Sequence, residues 1–367
     1  GRVSAEDYMR KLGARKPPTG RPDAPWGEWE LVSGDWTKRH FGITQLSYDA
    51  DIRTLSKKPR EEGGLYDSDM AILAGREALE DADVDPESVG CVVHVSCTPD
   101  SNYFFDHMRP IVEQLGLRSD VSFEFQNLGC AGLAAGLRTA RTYAKGVGNR
   151  VLLIASNCPS GFLSRETLDN YSRAQRWFPW SWLSPAIFAD AAGAMVLNVN
   201  GDVDRGVIDV WHEVHTEASL IRYPGGGSLE HTRIENVGRH LFLMDPTAVK
   251  DRFVELMMRN MEILKGRWST HIQPFIGGKE FDLNLPVRWY LHQANYHAVI
   301  QAAQAMGISH DKVPTNVDRF GNTSAPSTLL LLHEDIKVGR VKPGDLVAFC
   351  WVGAGIGAMN GGAFVIV

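Results

Sequence analysis

The chain has 367 residues, 44% hydrophobic and 22% charged, with a formal net charge of −6. That length supports a large core and either two domains or a duplicated one, and the composition is that of a soluble globular protein. The charge offers no footprint for nucleic acid, no apolar run approaches the roughly 20 residues needed to span a bilayer, and residues 1–7 lack a hydrophobic signal region. The five cysteines (91, 97, 130, 158 and 350) are scattered and odd in number, so a disulfide framework is not expected and a reducing cytoplasm is.

In chain order, spacing predicts a helix over 68–82 and an apolar strand over 91–95. An extended run reaches Phe125, and from Ala131 small residues with Leu133 and Leu137 follow helical spacing to about 146–148, before a strand over 151–155. The later chain repeats this order: a helix over 295–305, a helix led by Gly321-Asn322 and ending at Gly339, then a strand over 346–350. Two helix–strand units thus carry a cysteine and an asparagine at matching positions. The fold class predicted is mixed α/β, duplicated, with residues 1–200 carrying the cysteine half and 201–367 the other.

Cys130 falls at a strand-to-helix junction, where the unpaired N–H groups of a first helical turn point at its sulfur. That field is expected to lower the thiol pKa and favour the nucleophilic thiolate. Gly129, Ala131 and Gly132 leave room for a substrate carbonyl. His292 follows a short apolar strand, and Asn322 sits on a glycine turn. Taken singly, these are a buried cysteine, a strand-end core histidine and a turn residue. Together, thiolate, imidazole and amide are the parts of a carbon–carbon bond-forming acyl-transfer site.

With Ser68-Asp69-Met70, Cys130-Ala131-Gly132, the run 188–194, His292-Gln293-Ala294-Asn295 and Gly321-Asn322-Thr323-Ser324 in this order, the chain resembles β-ketoacyl-acyl-carrier-protein synthase III of the thiolase superfamily, from about Trp36 onward. The resemblance implies a five-layered αβαβα thiolase fold and a homodimer. It implies Cys130, His292 and Asn322 as catalytic residues, and an oxyanion hole from the backbone of Cys130, Gly353, Ala354 and Gly355. It also implies a coenzyme A or phosphopantetheine thioester as substrate, on coenzyme A or acyl carrier protein, with no resident cofactor and no metal. Trp36 matches the tryptophan that stacks on the coenzyme A adenine, Arg39 lies one place before the position of the family's coenzyme A-binding arginine, and Phe104 matches the aromatic residue that reaches into the partner's acyl pocket. Asn295, Trp180 and Trp182 complete the expected substrate-binding set.

Several positions depart from the pattern. The family's first strand has no counterpart ahead of Gly1, and His40 and His297 stand where arginines are usual. The second weakens the attraction for an acidic carrier, for which Lys250 and Arg252 could compensate. Ala189 and Ala191 replace glycines, 176–183 is an aromatic run, and 265–286 reads as an inserted loop. His212 and His215, with Glu213 and Glu217, have metal-like spacing but no third ligand nearby, and are read as a solvated face. His94, His231, His240 and His271 are read as ordinary histidines.

The leading functional expectation is decarboxylative Claisen condensation with a malonyl-type thioester, in specialised, polyketide-like metabolism. The alternatives are acyl transfer to a hydroxyl or amine, non-decarboxylative condensation, and an inactive partner subunit. Asn322 favours condensation, because an amide donor serves an enolate that simple transfer never forms.

Overall fold

The computed structural model describes all residues except 1, 22, 52–55, 102–105, 148–149, 163–181, 199–204, 216–219, 224–242 and 356–358. Eight strands form two four-stranded sheets. The first contains β1 (Val89–Val95), β2 (Ser122–Gln126), β3 (Arg150–Asn157) and β4 (Ala191–Leu197), in the order β4-β3-β1-β2. The second contains β5 (Gly206–Val214), β6 (Arg288–Leu291), β7 (Leu346–Gly353) and β8 (Met359–Ile366), in the order β5-β8-β7-β6. Each sheet joins a parallel pair (β1–β3, β6–β7) to an antiparallel one (β3–β4, β7–β8). The duplication lies in that order.

Strand alternation divides the core into layers. Val93 and Val95 of β1 and Val347, Phe349 and Trp351 of β7 face a central layer shared by both sheets. That layer is filled by α5 (Gly132–Val147) and α9 (Ser327–Lys337) through Ala134, Leu137, Leu329 and Leu332. The outer face of the first sheet is covered by α3 (Asp67–Asp81) and α4 (Met108–Leu115). The outer face of the second is covered by α7 (Pro246–Arg267) and α8 (Tyr296–Met306). Helix, sheet, helix, sheet, helix is the five-layered thiolase arrangement.

Three further helices, α1 (Ala5–Leu12), α2 (Gly34–Phe41) and α6 (Leu183–Ile187), form a satellite cluster around Tyr8, Leu46 and Trp182. β4 ends at Leu197 and β5 begins at Gly206, either side of the division expected near residue 200. The halves nevertheless share the central core, so neither buries its inner face alone. Among the described residues no helix is long and apolar enough to cross a membrane.

The stretch 265–286 is not a plain loop. α7 runs through Arg267 into a wide turn over Trp268–Ile272 and a tight one over Gln273–Ile276. Trp268 and Ile272 are buried, with Trp268 packed edge-on against Phe281 and Phe364, and that burial holds the chain helical. His212 and His215 are not a solvated face either. His212 is a β5 residue, half-buried, and His215 Nε2 meets Asn360 Oδ1 at 2.5 Å. Glu213 is taken by Arg259, while Glu217, His231 and His240 lie outside the described residues.

Candidate active site

Cys130 lies between the end of β2 and the start of α5, half-buried. Its Sγ accepts a 3.6 Å hydrogen bond from Ser324 Oγ. Burial raises the thiol pKa, and the Ser324 hydroxyl, its own backbone N–H and the Asn322 amide only partly offset this. The expected lowering is therefore corrected: at this helix start, desolvation of the charged form outweighs the donors.

Asn322 is fixed through its backbone. Its N–H donates to Ile187 O and its carbonyl accepts from Ala189 N–H, both at 2.9 Å. Oδ1 accepts from Ser324 N–H at 2.9 Å, which leaves the amide N–H groups for the site. The turn depends on Gly321, whose φ is +82° and where a Cβ would stand 2.6 Å from Leu46 and 3.0 Å from the Ala189 methyl. Ala189, one of the departures from the family pattern, packs directly on this turn.

His292 follows β6, with its N–H bonded to Cys350 O at 2.9 Å and Nδ1 facing Ser327 Oγ at 3.3 Å. Burial depresses its pKa to about 3, so the imidazole is neutral. In the tautomer in which Ser327 donates to Nδ1, the proton sits on Nε2, the nitrogen left to donate to a substrate oxygen. The single turn from Asn322 to Ser327 therefore supplies the amide, touches the thiol and orients the imidazole.

On the opposite side, a Cβ at Gly353 would stand 3.1 Å from Ala131 N, so the end of β7 lies against the backbone just after the cysteine. The Ala354 carbonyl accepts from Leu220 N–H, and Ala354 packs with Phe188, Ile221 and Cys130. These apolar groups keep water from the sulfur.

The remaining expected residues divide. Trp36 on α2 stacks on His40 at 4.0 Å, with its edge toward Trp182. Trp182 is wholly buried, so it supports Trp36 from behind instead of lining a substrate surface. Asn295 caps α8, its Oδ1 accepting from Ala298 N–H at 2.8 Å, and the helix end accounts for it. Arg39 is exposed, its Nε donating to Asp35 O. Arg252 is paired with Glu255, which reduces its value as compensation for His297. Phe104 and Trp180 lie outside the described residues.

Cys97 was not anticipated. Its sulfur faces Asn157 Oδ1 at 3.8 Å, and it lies beside Ser324 and Cys130, its thiol pushed up to about 12 by burial. Its sequence neighbourhood, the end of an apolar strand, carries no catalytic signal.

A thiol under a hydroxyl donor, a neutral imidazole and an amide, gathered on a duplicated αβαβα scaffold, define a thiolase-fold protein. Residues 287–365, which include His292, Asn322 and Gly353, match the family described as 3-oxoacyl-[acyl-carrier-protein (ACP)] synthase III C terminal. A β-ketoacyl-[acyl-carrier-protein] synthase III of Erythrobacter litoralis is 30% identical over 294 residues, 79% of this chain and 81% of that protein. The counterpart from Aliarcobacter butzleri is 25% identical over 95% of this chain and 94% of its own. The chain belongs to the β-ketoacyl-[acyl-carrier-protein] synthase III family of the thiolase superfamily, a family of condensing enzymes.

Solved structures agree on the fold. The synthase III of Pseudomonas aeruginosa superposes with a TM-score of 0.73 at 19% identity, covering all of this chain and 94% of that one. OleA of Xanthomonas campestris gives 0.74 at 18%, covering all of this chain and 95% of its own. A tetronic acid condensing enzyme, AbyA1, gives 0.77 at 18%, covering all of this chain and 96% of its own.

Proposed function

We propose that this protein is a decarboxylative Claisen condensing enzyme that loads an acyl group on Cys130 and extends it with a malonyl-type thioester. The observation that carries the reading is the grouping of neutral donors, His292 and Asn322, around the turn that also contacts Cys130.

In the first half-reaction Cys130 Sγ bonds to the acyl carbon of a coenzyme A or carrier-bound thioester. The thiol proton leaves with the departing thiol, so the raised thiol pKa is met without a resident base. The oxyanion lies at the Cys130 N–H and the turn of Gly353, Ala354 and Gly355. In the second, the extender loses carbon dioxide and its electron pair becomes an enolate, whose oxygen accepts from His292 Nε2–H and the Asn322 amide. Neutral donors suit this step, since neither competes for the developing negative charge. The enolate carbon then attacks the acyl carbonyl and expels the Cys130 thiolate, which accepts a hydrogen bond from Ser324 O–H until a proton from water restores the thiol.

The reading extends to a homodimer, supported by β2, which edges its sheet with Phe123 and Phe125 only partly covered. It also extends to a cytoplasmic enzyme of specialised, polyketide-like metabolism with no resident cofactor. The acyltransferase reading keeps Cys130 and His292 but gives Asn322 no enolate to serve. Intact mass after incubation with a panel of acyl thioesters is the test: a thioester adduct is expected on the wild type and none on Cys130→Ala. An adduct that persists on Cys130→Ala contradicts the mechanism.

A further inference from the structure

Away from the acyl site, three polar side chains converge under the outer helices of the first sheet. The alternation that turns Val93 and Val95 of β1 inward turns His94 outward, toward the starts of α3 and α4. Asp67 is the first residue of α3 and His107 the N-cap of α4. All three are buried. His107 Nε2 stands 2.7 Å from His94 Nδ1 and 3.5 Å from Asp67 Oδ2, and one ligand atom from each residue falls within 4.8 Å of the others. Three ligands each about 2.1 Å from one tetrahedral ion stand roughly 3.4 Å apart, so the hydrogen-bonded gap between the nitrogens must open by about 0.7 Å as the ion displaces the shared proton.

The outer partners are arranged as around a bound cation. His94 Nε2 meets Ser156 Oγ at 2.6 Å; in the tautomer in which that nitrogen donates, the Nδ1 lone pair faces the cluster. Asp67 Oδ1 accepts from Ser96 Oγ at 2.9 Å and from Thr98 Oγ1 at 3.4 Å. Asp67 Oδ2, fully buried, has no hydrogen-bond partner and stands 3.5 Å from His107 Nε2 and 3.8 Å from the Nε2 edge of the His94 ring. Ser156 also lies near this carboxylate, but its short contact is with His94. Nearby, Asp69 and Asp100 share the single cation Arg60, so the neighbourhood retains a negative excess. A buried carboxylate oxygen without a donor is costly unless a cation or a proton meets it.

We propose that Asp67 Oδ2, His94 Nδ1 and His107 Nε2 bind a divalent first-row transition-metal cation that staples the starts of α3 and α4 to β1. Two imidazoles and a carboxylate suit zinc or its neighbours, and the burial of all three points to a structural ion and not a reacting one. The site is independent of the acyl chemistry.

The test is metal content of untagged protein expressed with added zinc, for the wild type, Asp67→Asn, His107→Gln and Cys130→Ala. One zinc per chain is expected in the wild type and Cys130→Ala, with loss in the other two. Cobalt in place of zinc should give a spectrum without a thiolate-to-metal band. Stripping the wild type with a chelator should lower its melting temperature, and zinc should restore it. Wild-type protein without stoichiometric metal overturns the proposal, whether or not the variants fold. So does zinc that disappears in Cys130→Ala, or that survives in both cluster variants.

Discussion

Ser324 Oγ lies 3.6 Å from Cys130 Sγ, although 194 residues separate them in sequence. The serine holds a left-handed backbone, φ +62°, which non-glycine residues rarely adopt. Such a conformation costs about 1–3 kcal/mol and persists where the surroundings impose it. Here the 2.9 Å bond from Ser324 N–H to Asn322 Oδ1 imposes it.

Ser324→Ala removes a donor to the thiolate, so the Cys130 pKa should rise further. Alkylation of Cys130 by iodoacetamide, followed against pH, should shift to higher pH in the variant. An unchanged profile would show that the hydroxyl does not reach the sulfur.

Gly321→Ala should destabilise the protein by about 1–3 kcal/mol, because the new methyl meets Leu46 in a positive-φ position. It should also displace Asn322. Urea denaturation reads the first effect and the decarboxylation rate the second; wild-type values for both would remove this turn from the account.

His292 makes a signed pH prediction. Its folded pKa is about 3, while an unfolded histidine titrates near 6.5. Between those values the unfolded chain binds the extra proton, so stability falls as pH drops from about 6.5 toward 3, by at most about 1.4 kcal/mol per pH unit. His292→Gln should flatten the stability–pH curve in that window. A slope identical to the wild type would mean the imidazole is not buried neutral.

Much of this was legible in the sequence. The duplicated helix–strand order and the placing of Cys130, His292 and Asn322 at strand ends and a tight turn follow from apolar periodicity and glycine placement, since strand ends and tight turns have strong local signals, while the catalytic roles expected of them rest on the family resemblance. The contacts that tune them do not. Ser324 and Ser327 act through a turn whose geometry depends on Leu46 and Ala189, far away in the chain. Whether a helix start lowers a thiol pKa depends on how much water remains, which Phe188, Ile221 and Ala354 decide. His94 read as an ordinary histidine because Asp67 and His107 come from separate helices with no motif spacing. Trp182 read as substrate-facing because an aromatic run does not show which rings turn inward.

Asn322→Ala should leave acylation of Cys130 nearly intact while malonyl decarboxylation falls by about 10²-fold or more, because the amide meets charge only in the second half-reaction. His292→Ala should impair the second step under either condensation or transfer, so it does not separate them.

Carbon dioxide release from a malonyl thioester by the acylated wild-type enzyme tests the central claim most directly. The account predicts release that requires acylated Cys130 and falls steeply in Asn322→Ala. No release, with the acyl group passing instead to an alcohol or amine, would contradict condensation and make the protein an acyltransferase.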